Sequence, residues 1–205
     1  FEEKVKKTST PDVKLFIMSF CPYGRQAAKA MIPVYALLKN KANIEFRYVI
    51  YPKEWYKGRE KEYCIGNYCS MHGINETRED VRELCIANLY GKDKLVEYLE
   101  EELQSCTMSN IDICSKEIME RIGIDSEKIE KCVGQNATAY LKEEYELNKK
   151  YGVTGSPTLL INEVRYTGQR TPEAFKNAIC SAFIQPPKEC EQTLPSSSAS
   201  PGTCE

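Results

Sequence analysis

Hydrophobic and polar positions divide the chain into blocks. Residues 1–12 are polar and charged and read as a lead-in. Residues 13–19 are almost continuously apolar, as a strand covered on both faces should be. A helical pattern covers 24–40, with Pro33 inside it as an expected kink. Residues 43–50 alternate with period two, a second strand. Strand, helix and strand in this order imply parallel strands with a right-handed crossover. Residues 51–73 are aromatic, charged and without a period, and read as a loop pinned by disulfide chemistry. Helical patterns then run over 76–90, 92–104, 115–122, 126–133 and 138–151. Ser115 and Asp125 are the expected N-caps, and Gly91, Gly123 and Gly134 the expected stops. Val81, Leu84, Cys85 and Leu89 place an apolar stripe on the first of these helices. Residues 157–161 form a strand, Asn162-Glu163 a tight turn, and 164–167 a return strand. Thr171 caps a helix with Pro172 in its first turn, ending near Phe183.

The blocks fall into a core from 13–50 and 152–184, a cysteine-bearing loop and helical insertion over 51–151, and a tail over 185–205. Two Pro-rich patches and the run SSSAS make that tail an expected irregular or linker segment. A βαβ unit followed by an antiparallel ββα unit, with helices inserted between, is an α/β plan: the thioredoxin fold of the DsbA type.

Composition narrows the function classes. With 205 residues, 41% hydrophobic and 28% charged, the chain has the make-up of a soluble globular protein. Its 28 basic and 30 acidic residues give a net charge of −2 with no extended basic patch, which disfavours nucleic acid as a partner. No apolar run approaches the roughly 18 residues of a membrane helix, so no transmembrane segment is expected in this chain. It starts at Phe1 without a signal-peptide core and reads as a mature product or an excised piece. The single histidine, His72, rules out His-rich metal sites and argues against a Ser-His-Asp hydrolase. Ten cysteines spread along the chain read as a disulfide framework made in an extracytoplasmic compartment: secreted, cell-surface, periplasmic or secretory-pathway lumen. The one zinc candidate, Cys64-x4-Cys69-x2-His72 with Cys85 beyond, fits no common zinc module. No metal and no cofactor are expected.

Cys21 ends a buried strand and opens a helix. There the positive end of the helix dipole and the unpaired first-turn N–H groups stabilise a thiolate. Phe20-Cys21-Pro22-Tyr23-Gly24 resembles the active-site turn of thioredoxins and glutaredoxins, usually Cys-x-x-Cys, with Gly24 where the second cysteine would stand. The competing reading is a Cys21 that is buried or locked in a structural disulfide. Gly155-Ser156-Pro157-Thr158 is the second signal. In thioredoxin-like folds a proline in this place takes the cis bond and holds the preceding backbone beside the catalytic sulfur, where it can pair with a substrate peptide like an added strand. The competing reading is an ordinary trans proline opening a strand. Cys21, Pro22, Tyr23, Gly24, Ser156 and Pro157 are therefore the candidate site.

Other residues receive structural readings. His72 is expected to bond backbone in a loop, and Trp55, Tyr56, Tyr63 and Tyr68 to form the small core of a disulfide-rich loop. Glu143, Glu144 and Glu146 read as a solvated helix face. Asn75-Glu-Thr77 and Asn136-Ala-Thr138 match the N-glycosylation pattern.

Cys69-Ser-Met-His72-Gly73, with Cys85 twelve residues after the glycine, resembles the Cys-Gln-His-Gly signature of the gamma-interferon-inducible lysosomal thiol reductases. Two departures are the added residue after Cys69 and Thr77 in place of an intermediate cysteine. The later half resembles the thioredoxin-like luminal region of plant vacuolar sorting receptors more closely. Cys106-Thr-Met-Ser, Asp112-Ile-Cys114, Cys132-Val-Gly134, Pro157-Thr-Leu-Leu-Ile-Asn162, Arg165-Tyr-Thr-Gly168 and Ala178-Ile-Cys180 recur there in order, as do counterparts of Cys190 and Cys204. This likeness covers roughly residues 64–204. It implies that Cys106 pairs with Cys114 and Cys180 with Cys190, each closing a short loop at a helix end. Cys64–Cys69 and Cys85–Cys132 are the further pairs expected, which spacing alone does not settle.

Two functions follow. The first is an extracytoplasmic thiol–disulfide oxidoreductase working through Cys21 alone. A monothiol cannot resolve its own mixed disulfide, so it would act on cysteine-containing proteins or peptides and depend on a small thiol or a membrane redox partner for release. The second is a redox-inactive peptide-binding module of the secretory pathway, which kept the fold and lost the redox pair.

Overall fold

A computed structural model describes residues 1–197 and 199–205. The chain forms two compact units. One takes Phe1–Ile17, Pro22–Arg47 and Gly155–Glu205; the other takes Met18–Cys21 and Tyr48–Thr154.

The first unit carries the thioredoxin-type sheet. Strands β1 (Asp12–Ile17), β2 (Asn43–Tyr48), β6 (Thr158–Ile161) and β7 (Val164–Tyr166) lie in the order β2-β1-β6-β7, and β6 runs antiparallel to both β1 and β7. Val13, Leu15, Phe16 and Ile17 on β1 and all four residues of β6 are buried, which explains their near-continuous apolar sequence. Asn162 and Glu163 make the β6–β7 turn at φ 48° and 68°. Positive φ at both turn residues matches the twist of the flanking strands. Asn162 does more than turn the chain. Its side chain accepts from the Asp12 N–H at 2.8 Å and donates to the Lys6 carbonyl at 2.7 Å, fastening the lead-in.

Helices α1 (Pro22–Leu38) and α7 (Pro172–Cys180) pack together in this unit. α1 contains Pro33 and buries Ala27, Met31, Val34, Tyr35 and Leu38. Thr171 caps α7 by accepting from the Ala174 N–H at 3.0 Å, with proline in the first turn. The tail is tied back onto α7. Cys180 bonds to Cys190, Lys176 donates to the Gln192 carbonyl at 2.6 Å, and Glu173 accepts from the Leu194 N–H at 2.9 Å.

The second unit is helical. Residues 51–73, expected as a loop pinned by disulfide chemistry, contain besides their disulfide a 3-10 turn, the short helix α2 (Glu60–Tyr63) and a sheet of three two-residue strands, β3 (Tyr51–Pro52), β4 (Cys64–Ile65) and β5 (Tyr68–Cys69). Cys64 and Cys69 face each other in register and are bonded. Then come α3 (Ile74–Tyr90), α4 (Lys92–Ser105), α5 (Ile111–Arg121) and α6 (Ser126–Tyr151). Cys85–Cys132 joins α3 to α6, and Cys106–Cys114 joins the end of α4 to α5.

Four expectations are corrected here. α5 starts a turn earlier than Ser115, which lies inside it, and Asn110 flanks the start. α6 runs unbroken through Gly134, because Ile129, Cys132, Val133, Ala137 and Leu141 bury one face across it. Leu89 is 51% exposed, outside the stripe that Val81, Leu84 and Cys85 do bury. Trp55 is 64% exposed rather than part of a loop core, although its ring stacks on Tyr51 at 4.9 Å. Asp125 caps α6 by accepting from the Glu127 and Lys128 N–H groups at 3.0 and 3.3 Å.

Candidate functional site

Cys21 closes the Met18–Cys21 turn, is fully buried, and donates its N–H to the Met18 carbonyl at 3.1 Å. It is oxidised, and no cysteine among the described residues carries a free thiol. Of the two readings of Cys21, this state corresponds to the disulfide-locked one.

The turn is held by acids. The Ser19 N–H donates to Asp80 Oδ1 at 3.2 Å, and the Ser19 hydroxyl donates to the same oxygen at 2.5 Å. The Phe20 N–H donates to Glu76 Oε2 at 2.7 Å. Asp80 takes a further bond from Ser70 Oγ at 2.6 Å, and Glu83 one from the Tyr48 hydroxyl at 2.8 Å. Glu79 binds Arg82 at 2.5 Å and the Tyr98 hydroxyl at 2.7 Å. Glu76, Glu79, Asp80, Arg82 and Glu83 are all at most 1% exposed. They sit on α3, and the four acids fall at i, i+3, i+4 and i+7, one face of the helix. That spacing is normally apolar, and acids in it are the signal that could have revealed the cluster.

Burial pushes the Asp80 carboxyl well above the usual carboxylate range, aided by the neighbouring Glu76 and opposed by the serine hydrogen bonds. Burial also raises Glu83, with Glu79 and Glu102 adding to it. Tyr48 is raised by burial first and by Glu83 second. Burial of Asp80 beneath the turn before Cys21 thus favours its neutral carboxyl, a form that can both accept and donate a hydrogen bond. His72, expected to bond backbone, instead sets Nδ1 2.9 Å from Glu76 Oε2, and that hydrogen bond raises its pKa.

The sheet-bearing unit holds the other candidate residues. Pro22 opens α1, followed by Tyr23 and a buried Gly24. The Ser156–Pro157 bond is cis, and Ser156 is fully buried. Ser156 is paired. Its N–H donates to the Cys204 carbonyl at 2.8 Å, and the Cys204 N–H donates to the Ser156 carbonyl at 2.8 Å, an antiparallel bridge. Gly202 lies on the Tyr23 ring, where an added Cβ would come within 2.3 Å of ring carbons. Arg170 donates to the carbonyls of Gly202 and Ser200, and Gln26 accepts from the Ser200 N–H at 3.0 Å. Gln26, Arg170 and residues 200–204 were not candidates from sequence. A segment that binds through its backbone has no periodic signature.

One further sequence reading changes. Glu144 is buried at 1%, not solvated, because the Tyr48 N–H donates to it at 3.0 Å; its neighbours Glu143 and Glu146 are exposed. Both N-glycosylation patterns fall in helices. Asn75 donates to the Met108 carbonyl at 3.3 Å from the first turn of α3, and Asn136 sits within α6.

Comparison with known proteins agrees with this architecture. A DsbA from Mycobacterium tuberculosis superposes with a TM-score of 0.58 at 13% identity, over 91% of this chain and 94% of that one. A thioredoxin-like oxidoreductase from Silicibacter pomeroyi gives 0.55 at 18% identity, over 82% and 84%. At such identities the likeness concerns the fold. Vacuolar-sorting receptor 4 of Arabidopsis thaliana is 31% identical over 151 residues, covering 60% of this chain and 24% of the receptor. Vacuolar-sorting receptor 1 of Pisum sativum is 29% identical over 150 residues, with the same coverage. The chain thus spans about a quarter of the length of these relatives. With every cysteine oxidised, it is a thioredoxin-like module of an extracytoplasmic protein. Residues 59–180, more than half the chain, match the model of the vacuolar sorting receptor thioredoxin-like domain, and the chain belongs to that family.

Proposed function

We propose that this module binds extended peptide segments along the Ser156 edge, as an added strand beside β6. The observation that carries the reading is the reciprocal pair of 2.8 Å hydrogen bonds between Ser156 and Cys204. That edge has one donor and one acceptor set for a strand, and a strand-like segment takes both. Backbone pairing gives affinity without demanding a fixed ligand sequence, which suits a module facing varied proteins. The test is fluorescence anisotropy of a labelled extended peptide with the intact chain and with the chain lacking residues 199–205. Tighter binding by the shortened chain is the expected result. No binding by either would refute peptide binding at this edge.

A second reading is favoured by the place of Cys21 itself, one residue before the 17-residue helix α1. Once reduced, that sulfur has the position of a thioredoxin nucleophile and can exchange disulfides as a monothiol, with an outside thiol completing release. Its measure is glutathione-dependent reduction of insulin. Slow turnover that vanishes in Cys21→Ser supports it; turnover that persists in Cys21→Ser removes it.

A further inference from the structure

Residues 200–204 lie on the peptide edge, and the groups that receive them, Gln26, Tyr23, Ser156 and Arg170, all belong to the sheet-bearing unit. Gln26 accepts from the Ser200 N–H at 3.0 Å. Arg170 donates to the Ser200 carbonyl at 3.3 Å and to the Gly202 carbonyl, and reaches Thr203 Oγ1 at 3.4 Å. Ser156 takes both backbone groups of Cys204 at 2.8 Å. The backbone groups received belong to residues 200, 202 and 204, every second position, as an extended segment presents them. Burial alternates in the same way: Pro201, Thr203 and Glu205 are exposed, Gly202 is half-buried and Cys204 is buried. Pro201, between two received residues, brings no N–H that would need a partner.

Glycine at 202 answers a demand of space, not of backbone conformation. Its φ lies outside the left-handed region that favours glycine. What bars a side chain is the Tyr23 ring, whose carbons a Cβ would approach to 2.3 Å. Gly155 makes room for the next two residues of the segment. A Cβ there would lie 3.0 Å from both Thr203 Cγ2 and the Cys204 carbonyl oxygen.

Resting on the peptide-binding reading above, we infer that Tyr23 and Arg170 make the Ser156 edge selective for extended peptides with glycine two residues before the residue that pairs with Ser156, and that residues 200–204 occupy this site as the chain's own competing ligand. Arg170 recognises carbonyls, which every peptide has, and so contributes affinity. Tyr23 supplies the choice. Overfilling a close contact is penalised, so any larger residue must displace the ring or give up the hydrogen bonds on either side of it.

The test is anisotropy of fluorescein-labelled Ser-Pro-Gly-Thr-Ser-Glu and of the same peptide with alanine or leucine for glycine. Serine replaces the cysteine so that no disulfide exchange contributes. The receptor is the full chain carrying Gly202→Leu and Cys204→Ser, which unseats the tail, with any thiol thereby freed capped by iodoacetamide. The glycine peptide should bind this receptor about tenfold more tightly than the leucine peptide, with alanine between them. Adding Tyr23→Ala should bring glycine and leucine peptides within about twofold of each other. Adding Arg170→Gln should weaken both about tenfold and leave the preference intact. The unsubstituted chain should bind the glycine peptide about tenfold more weakly than the unseated receptor. The peptide series needs no change at Tyr23, so it tests the steric demand even where Tyr23→Ala fails to fold.

Each contrary result has one meaning. Equal affinity for glycine and leucine peptides overturns the selection while leaving the edge as a peptide site. A glycine preference that persists in folded Tyr23→Ala overturns Tyr23 as its source. Equal binding by the unsubstituted chain and the unseated receptor overturns the tail as a competing ligand. No binding of any peptide by the unseated receptor, with its circular dichroism unchanged, overturns the peptide-binding reading beneath all three.

Discussion

The two units are stabilised in opposite ways. In the sheet-bearing unit the core is mainly hydrocarbon: Val13, Leu15, Phe16, Met31, Ile161, Phe175 and Ile179 are at most 1% exposed, with Lys176 at 3% the buried charge among the described residues. In the helical unit the central helix α3 buries Glu76, Glu79, Asp80, Arg82 and Glu83 beside Val81 and Ile86. Area burial is forgiving and non-directional. A buried network is not, since each polar group left unpaired costs its full desolvation. The helical unit should therefore be the less tolerant of polar-to-apolar substitution, and pH should act on it more strongly.

The largest effect is expected at Arg82. Arg82→Ala leaves the buried Glu79 without its cation, beside the Tyr98 hydroxyl and Glu83, and should cost about 3–5 kcal/mol. Urea unfolding followed by hydrogen exchange on α3 measures it. A loss below 1 kcal/mol would mean that water reaches the cluster and the contrast between units is lost. Phe175→Ala is the counterpart in the sheet-bearing unit, at about 3–5 kcal/mol by cavity formation. Arg82→Lys should recover part of its loss, whereas Phe175→Leu should recover most.

Next comes Asn148, which accepts from the Ile50 N–H at 2.7 Å and donates to the Tyr48 carbonyl at 2.9 Å. Asn148→Ala orphans two buried backbone groups, at about 1–3 kcal/mol for each. Exchange protection at Ile50 should fall first. Unchanged protection there would show that α6 does not hold this segment.

The pH dependence sharpens the comparison. Asp80 and Glu83 have folded pKa values raised above their unfolded values of about 4. Their contribution is fully present below that unfolded range and is lost as pH rises through the raised folded values. Lowering pH from 7 to 5 should therefore stabilise the helical unit. His72 acts in the same direction, its raised pKa giving stability that is lost on the alkaline side. Glu60 and Glu173, whose pKa values are lowered, lose their contributions only on further acidification, below this window. Thermal melts of the parent against Asp80→Asn read the slope, and the variant should be flatter. A midpoint that falls between pH 7 and pH 5 contradicts the assignment.

The smallest effects are the caps, one in each unit. Asp125→Ala and Thr171→Ala should each cost about 1 kcal/mol, because each removes a side-chain acceptor from first-turn N–H groups. Equal losses are the expected result of denaturant titration. A cap is a local device, indifferent to which kind of core lies behind it.

How far the sequence could be read follows the same division. Strands β1 and β6, the Asn162-Glu163 turn and the Thr171-Pro172 start were legible, because apolar runs and turn chemistry act locally. Cys21-Pro22 and Ser156-Pro157 stood out because their residue types are scarce and chemically marked. The acids of α3 did not, since a carboxylate is read as surface unless its spacing is weighed, and Glu144 was misread for that reason. The two-residue strands in 51–73 are too short to show a period. The tail's seat was illegible, because its ligand groups are backbone N–H and C=O, which every sequence has.

One consequence of the Ser156–Cys204 pairing concerns competition. A ligand on its own chain is present at an effective concentration of the order of millimolar, whatever the protein concentration. A free peptide of equal intrinsic affinity must approach that level to displace it. Dilution does not help, because the tether dilutes with the protein. Affinities measured on the intact chain thus report a difference between two ligands, and removing residues 199–205 would convert them to the intrinsic value for the edge.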